Sequence, residues 1–244
     1  MPAEPEEAPP GLPAAYRRWR TSRLGQITDR LEEELILGLV GLPAGMRILD
    51  AGCGDGLLAS ALARAGAIVT GVDRDPRMLT VGQARAEHAG LHLELVEGDL
   101  RALPFADAAF DVAIAITALC FVADAERAVR EMARVLRPGG RVVIGELGRW
   151  NLWAAKRRIS GWLGPSVWSA ATFWTPGQLR RMAMKAGLAV TATRGAIFYP
   201  PCATPAALLE PWDAWLGRHT TSSAAFLAVV GQKSILQQTL ANHG

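Results

Sequence analysis

The 244-residue chain has no run of about 18 uncharged apolar residues, so it offers no candidate transmembrane helix. Tyrosine is scarce, at two residues, and cysteine stops at three: Cys53, Cys120 and Cys202, far apart in sequence. An odd number of dispersed cysteines does not build a disulfide framework and reads as reduced thiols. The same dispersal leaves no paired Cys or His for a zinc site, so no metal is expected. Lysine is nearly absent: 23 of the 26 basic residues are Arg, scattered along the chain. Without a basic stripe, the net charge of +3 does not indicate a nucleic-acid partner. Residues 1–13 are acidic and proline-rich, with neither a basic n-region nor an apolar h-region. They read as a disordered tail rather than a secretory signal, and a cytoplasmic location is expected.

Apolar residues are plentiful. They make up 50% of the chain against 20% charged, enough to bury a sizeable core. Tryptophan is abundant too: five of the eight fall between Trp150 and Trp174. Residues 14–43 form a helical cover, with Leu31, Leu35 and Leu39 at helical spacing and Gly41 and Pro43 as its stop. Across residues 44–148, short apolar runs alternate with helical segments. Strands are expected at 47–51, 68–73, 91–97, 110–117 and 142–147, with helices between them and a turn at Pro138-Gly139-Gly140. Such alternation is the signature of a doubly wound, mostly parallel α/β sheet, whose ligand sits beyond the carboxyl ends of the strands. Residues 149–187 interrupt it as a Trp-rich lid insertion. Residues 188–233 hold two last strands, 188–198 and 224–232, with an insert between, and 234–244 form a tail.

Three motifs carry chemistry. In Ile48-Leu49-Asp50-Ala51-Gly52-Cys53-Gly54-Asp55-Gly56, a strand enters a glycine-rich turn that opens a helix. Glycine there lets the backbone turn sharply and approach a bound nucleoside. A dinucleotide fingerprint would need Gly at position 57, which is Leu57. Asp50, placed before the first glycine, suits an ammonium better than a pyrophosphate. The second motif ends at Asp73, roughly 20 residues beyond Gly52, where an acid accepts both ribose hydroxyls. Arg74 follows it without displacing that role. The third is Gly98-Asp99-Leu100. Asp99 can accept from an adenine amino group while Leu100 packs on the ring.

In order and spacing, ILDAGCGDG (48–56), VTGVDRDPRML (69–79), GDLRALPFADAAFDVAIAITALCFV (98–122) and LRPGGRVVIGEL (136–147) resemble the class I S-adenosylmethionine-dependent methyltransferases. Within them the chain is most similar to the small-molecule group that includes ubiquinone/menaquinone-biosynthesis C-methyltransferases. The resemblance implies a Rossmann-like seven-stranded sheet with an antiparallel last strand, and S-adenosyl-L-methionine as cofactor with S-adenosyl-L-homocysteine as product. It implies Gly52 and Gly54 along the methionine part, Asp50 near its amino group, Asp73 and Arg74 at the ribose, and Met78, Asp99 and Leu100 around the adenine. The Thr117 backbone would face the methyl donor, and Tyr16 and Trp19 would cover the cofactor.

Methyl transfer from a sulfonium needs alignment and dryness more than acid–base chemistry. No catalytic base is assigned: His88 and His92 lie at the wrong sheet edge, and His219 reads as a loop residue. The segments outside the cofactor core are rich in Trp, Phe, Leu and Pro, which points to a small, largely apolar or aromatic acceptor. Over residues 151–163, Leu152, Ala155, Ile159, Trp162 and Leu163 share one helical face, with Arg157 and Arg158 off it. That stripe fits a packed lid, and it also fits an interfacial helix that places Trp among lipid headgroups. Two further readings stay open: a quinone- or lipid-precursor methyltransferase at a membrane surface, and a non-catalytic cofactor-binding module. The sequence does not speak to oligomeric state.

Overall fold

The computed structural model describes residues 18–163 and 167–235. The elements run α1 (Arg23–Val40), β1 (Arg47–Ala51), α2 (Leu57–Arg64), β2 (Ile68–Asp73), α3 (Pro76–His88), β3 (Glu94–Glu97) and β4 (Phe110–Ile116). They continue with α4 (Ala125–Val135), β5 (Leu136–Leu147), α5 (Leu152–Leu163), α6 (Pro176–Lys185), β6 (Leu188–Ala196), α7 (Ala203–His219) and β7 (Phe226–Lys233). The seven strands form one sheet in the order β3-β2-β1-β4-β5-β7-β6. β1 to β5 are mutually parallel, and β7 is antiparallel to both β5 and β6. This is the doubly wound sheet the alternation implies.

The central strands are apolar on both faces because helices cover both. In β4, Val112 to Ala115 are all buried. One layer packs Leu49, Ala113, Ile144 and Leu227 against Val129 and Met132 of α4. The other packs Ile48, Ile114, Val143 and Phe226 against Ile27, Leu31 and Ile36 of α1 and Leu62 of α2. Local chemistry sets the helix starts. Asp75 accepts from the Arg77 amide ahead of Pro76, Asp124 accepts from the Arg127 amide, and Thr175 with Gln178 closes a capping box.

Tertiary context moves several boundaries. The helical cover expected over residues 14–43 breaks at Ser22, whose hydroxyl donates to the Trp19 carbonyl at 2.6 Å and accepts from the Gly25 amide. Gly25 is required there, since a Cβ would sit 2.1 Å from the Trp19 carbonyl oxygen. The third strand shortens to 94–97. The turn at 138–140 is absorbed into β5 as an irregularity, with Leu136 opposite Phe110 and Arg141 opposite Val112. β6 stops at Ala196 because Ile197 turns left-handed, φ 63°, while Asp213 receives the Ile197 and Phe198 amides. Within the insert expected before the last strand, residues 203–219 are helix α7, with Pro211 inside it. His219 is therefore no loop residue. It ends α7, its Nδ1 2.8 Å from the Trp215 carbonyl and its ring stacked on Trp215.

The 151–163 helix forms as α5, but its apolar stripe faces outward. Leu152, Ile159 and Trp162 are exposed, while Trp153 and Ala154 turn inward. The stripe is not the packed face of a lid. The inward contacts of this region are a small cluster of Cys120, Leu147, Ala154 and Phe173. Tyr16, residues 1–13 and most of the 234–244 tail lie outside the described residues.

Candidate cofactor site

At the carboxyl edge of β1 the chain turns through Gly52, Gly54 and Gly56, all left-handed. The Gly52 and Cys53 amides both donate to the Val72 carbonyl, at 2.7 and 3.0 Å, which fastens the turn to β2. Asp73 fastens it again: one carboxylate oxygen accepts from the Gly54 amide at 2.8 Å, the other from the Asp75 amide at 3.0 Å. Each oxygen keeps a lone pair that a ribose hydroxyl can use. Arg74 is exposed at the same turn.

Side chains from three further segments reach this turn. A Cβ on Gly52 would lie 2.5 Å from the Ala118 Cβ and 3.7 Å from Leu100 Cδ2, and one on Gly54 would lie 3.5 Å from Met78 Cε. The fold thus brings Gly52, Gly54, Asp73, Met78, Leu100 and the 117–118 backbone to one place. Thr117 is itself left-handed, φ 50°, and its amide donates to the Gly145 carbonyl at 2.7 Å.

Asp50 is 2% exposed, and its Oδ2 has no hydrogen-bond partner. Burial, then the nearby Asp73 charge, pushes its carboxyl up to about 7. A buried carboxylate oxygen without a donor, beside a glycine cradle, fits a ligand that brings a cationic donor. Asp99 differs. It is largely exposed, and Arg101 grips both of its oxygens, Nη2 at 2.6 Å and Nε at 3.0 Å, which holds its carboxyl below the usual range. An adenine amino group would share that carboxylate with Arg101.

The N-terminal segment is tied to the glycine turn. Arg20 donates to Asp29 at 2.7 Å and lies 3.5 Å from Asp55, which also pairs with Arg85 at 2.6 Å. Half-buried Trp19 packs against the α1 layer beside it. Cys53 sits against Gly71 with its thiol pushed up by burial, and Cys120 is buried with its thiol likewise raised, so both pack as unreactive thiols. Among the described residues, no cluster of His, Cys, Asp and Glu could hold a metal ion.

Two carboxylates here were not anticipated from sequence. Glu146, fully buried at the end of β5, accepts from the Leu119 amide at 2.7 Å and the Ala118 amide at 3.1 Å, and burial pushes it up to about 7. It holds the loop that lies over Gly52. The signal was an acid inside the apolar run Val142–Leu147. The second is Glu32 of α1, pushed up to about 8 by burial and then by Asp29, with Arg157 and Arg20 opposing. It lies near the buried Tyr199 hydroxyl, which is 3.0 Å from Thr28 Oγ1, while Trp153 Nε1 donates to the Tyr199 carbonyl at 2.8 Å. In the sequence Glu32 is one of three consecutive acids, Glu32, Glu33 and Glu34, and nothing local distinguishes it.

A methyltransferase-domain family model matches residues 49–144. The ubiquinone biosynthesis O-methyltransferase of Cereibacter sphaeroides is 34% identical over 186 residues, covering 73% of this chain and 75% of that protein. An S-adenosylmethionine-dependent methyltransferase from Thermotoga maritima superposes with a TM-score of 0.71 at 21% identity, over 91% of this chain and 97% of that one. The magnesium protoporphyrin IX methyltransferase of Synechocystis, solved with S-adenosylhomocysteine, does so at 0.67 and 17% identity, over 92% and 95%. With a glycine cradle, a clamped acid at β2 and a buried orphan carboxylate at one sheet edge, the chain belongs to the class I S-adenosylmethionine-dependent methyltransferases.

Proposed function

We propose that this chain methylates a hydroxyl of a small, largely apolar aromatic acceptor of quinone type. The orphan Oδ2 of Asp50 carries the cofactor half of this reading. Asp50 receives the ammonium, Asp73 the ribose hydroxyls, and Met78 and Leu100 flank the adenine, with Asp99 at its amino group. Gly52, Gly54 and the Thr117 backbone line the methionine part, and Trp19 with Arg20 closes over it. When bound, the cofactor supplies an electrophilic methyl group and a neutral thioether leaving group.

The acceptor half is supported by the Cereibacter relative, whose name places it in ubiquinone biosynthesis and on oxygen. A phenolic hydroxyl attacks the methyl carbon best as it loses its proton. Glu32 is the group we assign to take that proton. It shares an α1 face with Thr28 and Asp29, and it lies near Tyr199 and Arg157. Its raised value makes it an effective base only as pH approaches 8.

The test offers catechols and hydroquinones to the protein with S-adenosylmethionine and measures S-adenosylhomocysteine. The expected result is turnover with kcat/KM rising from pH 6.5 to 8, and a loss of about 100-fold in kcat for Glu32→Gln at unchanged cofactor affinity. Turnover that E32Q leaves intact removes Glu32 from the chemistry. No turnover with any acceptor, despite cofactor binding, favours a non-catalytic binding module.

A further inference from the structure

We infer that Glu146 is a positioning residue for methyl transfer: it holds the strained turn after β4 that joins the cofactor cradle to the Trp-rich segment beside it. The inference rests on the cofactor site assigned above, in which Gly52 and the Thr117 backbone line the methionine part.

The turn is under strain. Among the described residues, Ala108, Thr117, Ile197 and Ser223 are the positions other than glycine with positive φ, and Thr117 at 50° and Ile197 at 63° are β-branched. A β-branched side chain resists the left-handed conformation, which persists only where surrounding contacts enforce it. Both residues follow a strand at the carboxyl edge of the sheet, and each turn is met by a buried carboxylate, Glu146 at Thr117 and Asp213 at Ile197. At Thr117 the following residue, Ala118, is right-handed, with φ −110° and ψ −46°. A left-handed residue beside a right-handed one turns successive amides toward one point, a concavity that takes an anion. The Thr117 amide donates to the Gly145 carbonyl at 2.7 Å, and the Ala118 and Leu119 amides donate to Glu146 Oε1 at 3.1 and 2.7 Å. The fully buried Glu146 carboxylate is the anion that fills this concavity.

The same turn faces two ways. Toward the cradle, the Ala118 Cβ would lie 2.5 Å from a Cβ on Gly52, so Ala118 closes directly on the glycine turn. Away from it, the Cys120 carbonyl accepts from the Thr172 amide at 2.8 Å, and the Phe121 ring lies 6.4 Å from the Trp168 ring. A shift of these amides relative to β5 therefore moves the cradle wall and the Phe121–Trp168 contact together. In-line displacement tolerates little of that, a misplacement of about 1 Å costing on the order of 100-fold in rate. Glu146 acts through the turn: its Oε1 is spent on the two amides, and its Oε2 has no hydrogen-bond partner among the described residues.

Calorimetry with S-adenosylhomocysteine on folded variants tests this. Glu146→Asp keeps the charge but withdraws the carboxylate by one methylene, and affinity should fall at least about fivefold, the left-handed cost that the turn then escapes by relaxing. Glu146→Gln keeps an acceptor oxygen in place and should stay within about threefold of the native protein. In a Thr117→Gly background E146D should cost at most about twofold, because glycine takes the left-handed conformation unaided. With a catechol or hydroquinone that is turned over, E146D should lower kcat by about 100-fold and move the acceptor KM far less. If E146D does not fold alone, Thr117→Gly should restore folding; continued unfolding of the double variant overturns the proposal. A carboxylate that serves only the fold would shift the melting temperature and leave affinity as it was. That result, an equal E146D loss in both backgrounds, or a Gln variant that binds as weakly as the Asp variant also overturns it. A native protein that does not bind S-adenosylhomocysteine refutes the cofactor site itself, a failure told apart because it precedes any substitution.

Discussion

Replacing Asp50 with Asn separates what its carboxylate does for the fold from what it does for the ligand. In the folded protein the carboxyl titrates near 7, against 3.8 for an unperturbed aspartate. Between those values the folded state binds more protons than the unfolded chain, so stability falls as pH rises through that window. The total is on the order of 4 kcal/mol at pH 8, and it vanishes below about pH 4. D50N removes this cost, so the ligand-free variant should melt higher than the native protein at pH 8 and equally at pH 4. Ligand binding should move the other way. An ammonium beside the carboxylate stabilises its charged form, so binding below pH 7 must release a proton. Affinity for S-adenosylhomocysteine should therefore rise up to about tenfold per pH unit from pH 5.5 to 7 and then level. Calorimetry in two buffers of different ionisation enthalpy counts the proton directly. D50N should bind more weakly, with no pH dependence over this range. A native affinity flat from pH 5.5 to 8, or a D50N variant binding as tightly as the native protein, would refute the assignment of Asp50 to the ammonium.

Other substitutions probe the same architecture. Asp73→Ala loses the clamp on the Gly54 amide together with the proposed ribose acceptor, and calorimetry should detect no binding at cofactor concentrations that saturate the native protein. Gly52→Ala adds a left-handed strain of about 1–2 kcal/mol and a methyl 2.5 Å from the Ala118 Cβ. A folded variant, by circular dichroism, with cofactor affinity reduced at least about tenfold is expected. Trp19→Ala should weaken cofactor binding severalfold if the N-terminal segment is its cover; equal titration curves dismiss that role. Asp213→Ala strands the Ile197 and Phe198 amides, costing about 2–5 kcal/mol, and should lower the melting temperature by about 5–15 °C.

The glycine turn and the strands around it were legible because their signals are local. A glycine turn between a strand and a helix, an acid at the end of the next strand, and apolar runs between capped helices all act within a few residues of chain. Asp50, Gly52, Gly54, Asp73, Met78 and Leu100 could be chosen one by one, and the sheet brings most of them to one turn. Where a partner far away in sequence intervenes, local reading fails. Residues 203–219 read only as an insert with His219 in a loop, yet Asp213 and the close approach of Gly217 to the Gly195 carbonyl hold a helix there. Ser22 breaks one expected helix because the Trp19 carbonyl folds back on Gly25. Asp99 is engaged by Arg101, two residues on, a contact its position alone does not specify.

The sequence by itself determined the sheet, the glycine turn at the end of β1 and the amphipathic character of α5. Periodicity states that a helix has an apolar face, because backbone geometry places every third or fourth residue together. It does not state what that face meets. Only the tertiary structure decided that Trp153 turns inward to Tyr199 while Leu152, Ile159 and Trp162 turn to solvent. Coverage of a face depends on which distant elements arrive beside it, and that follows from the packing of the whole chain.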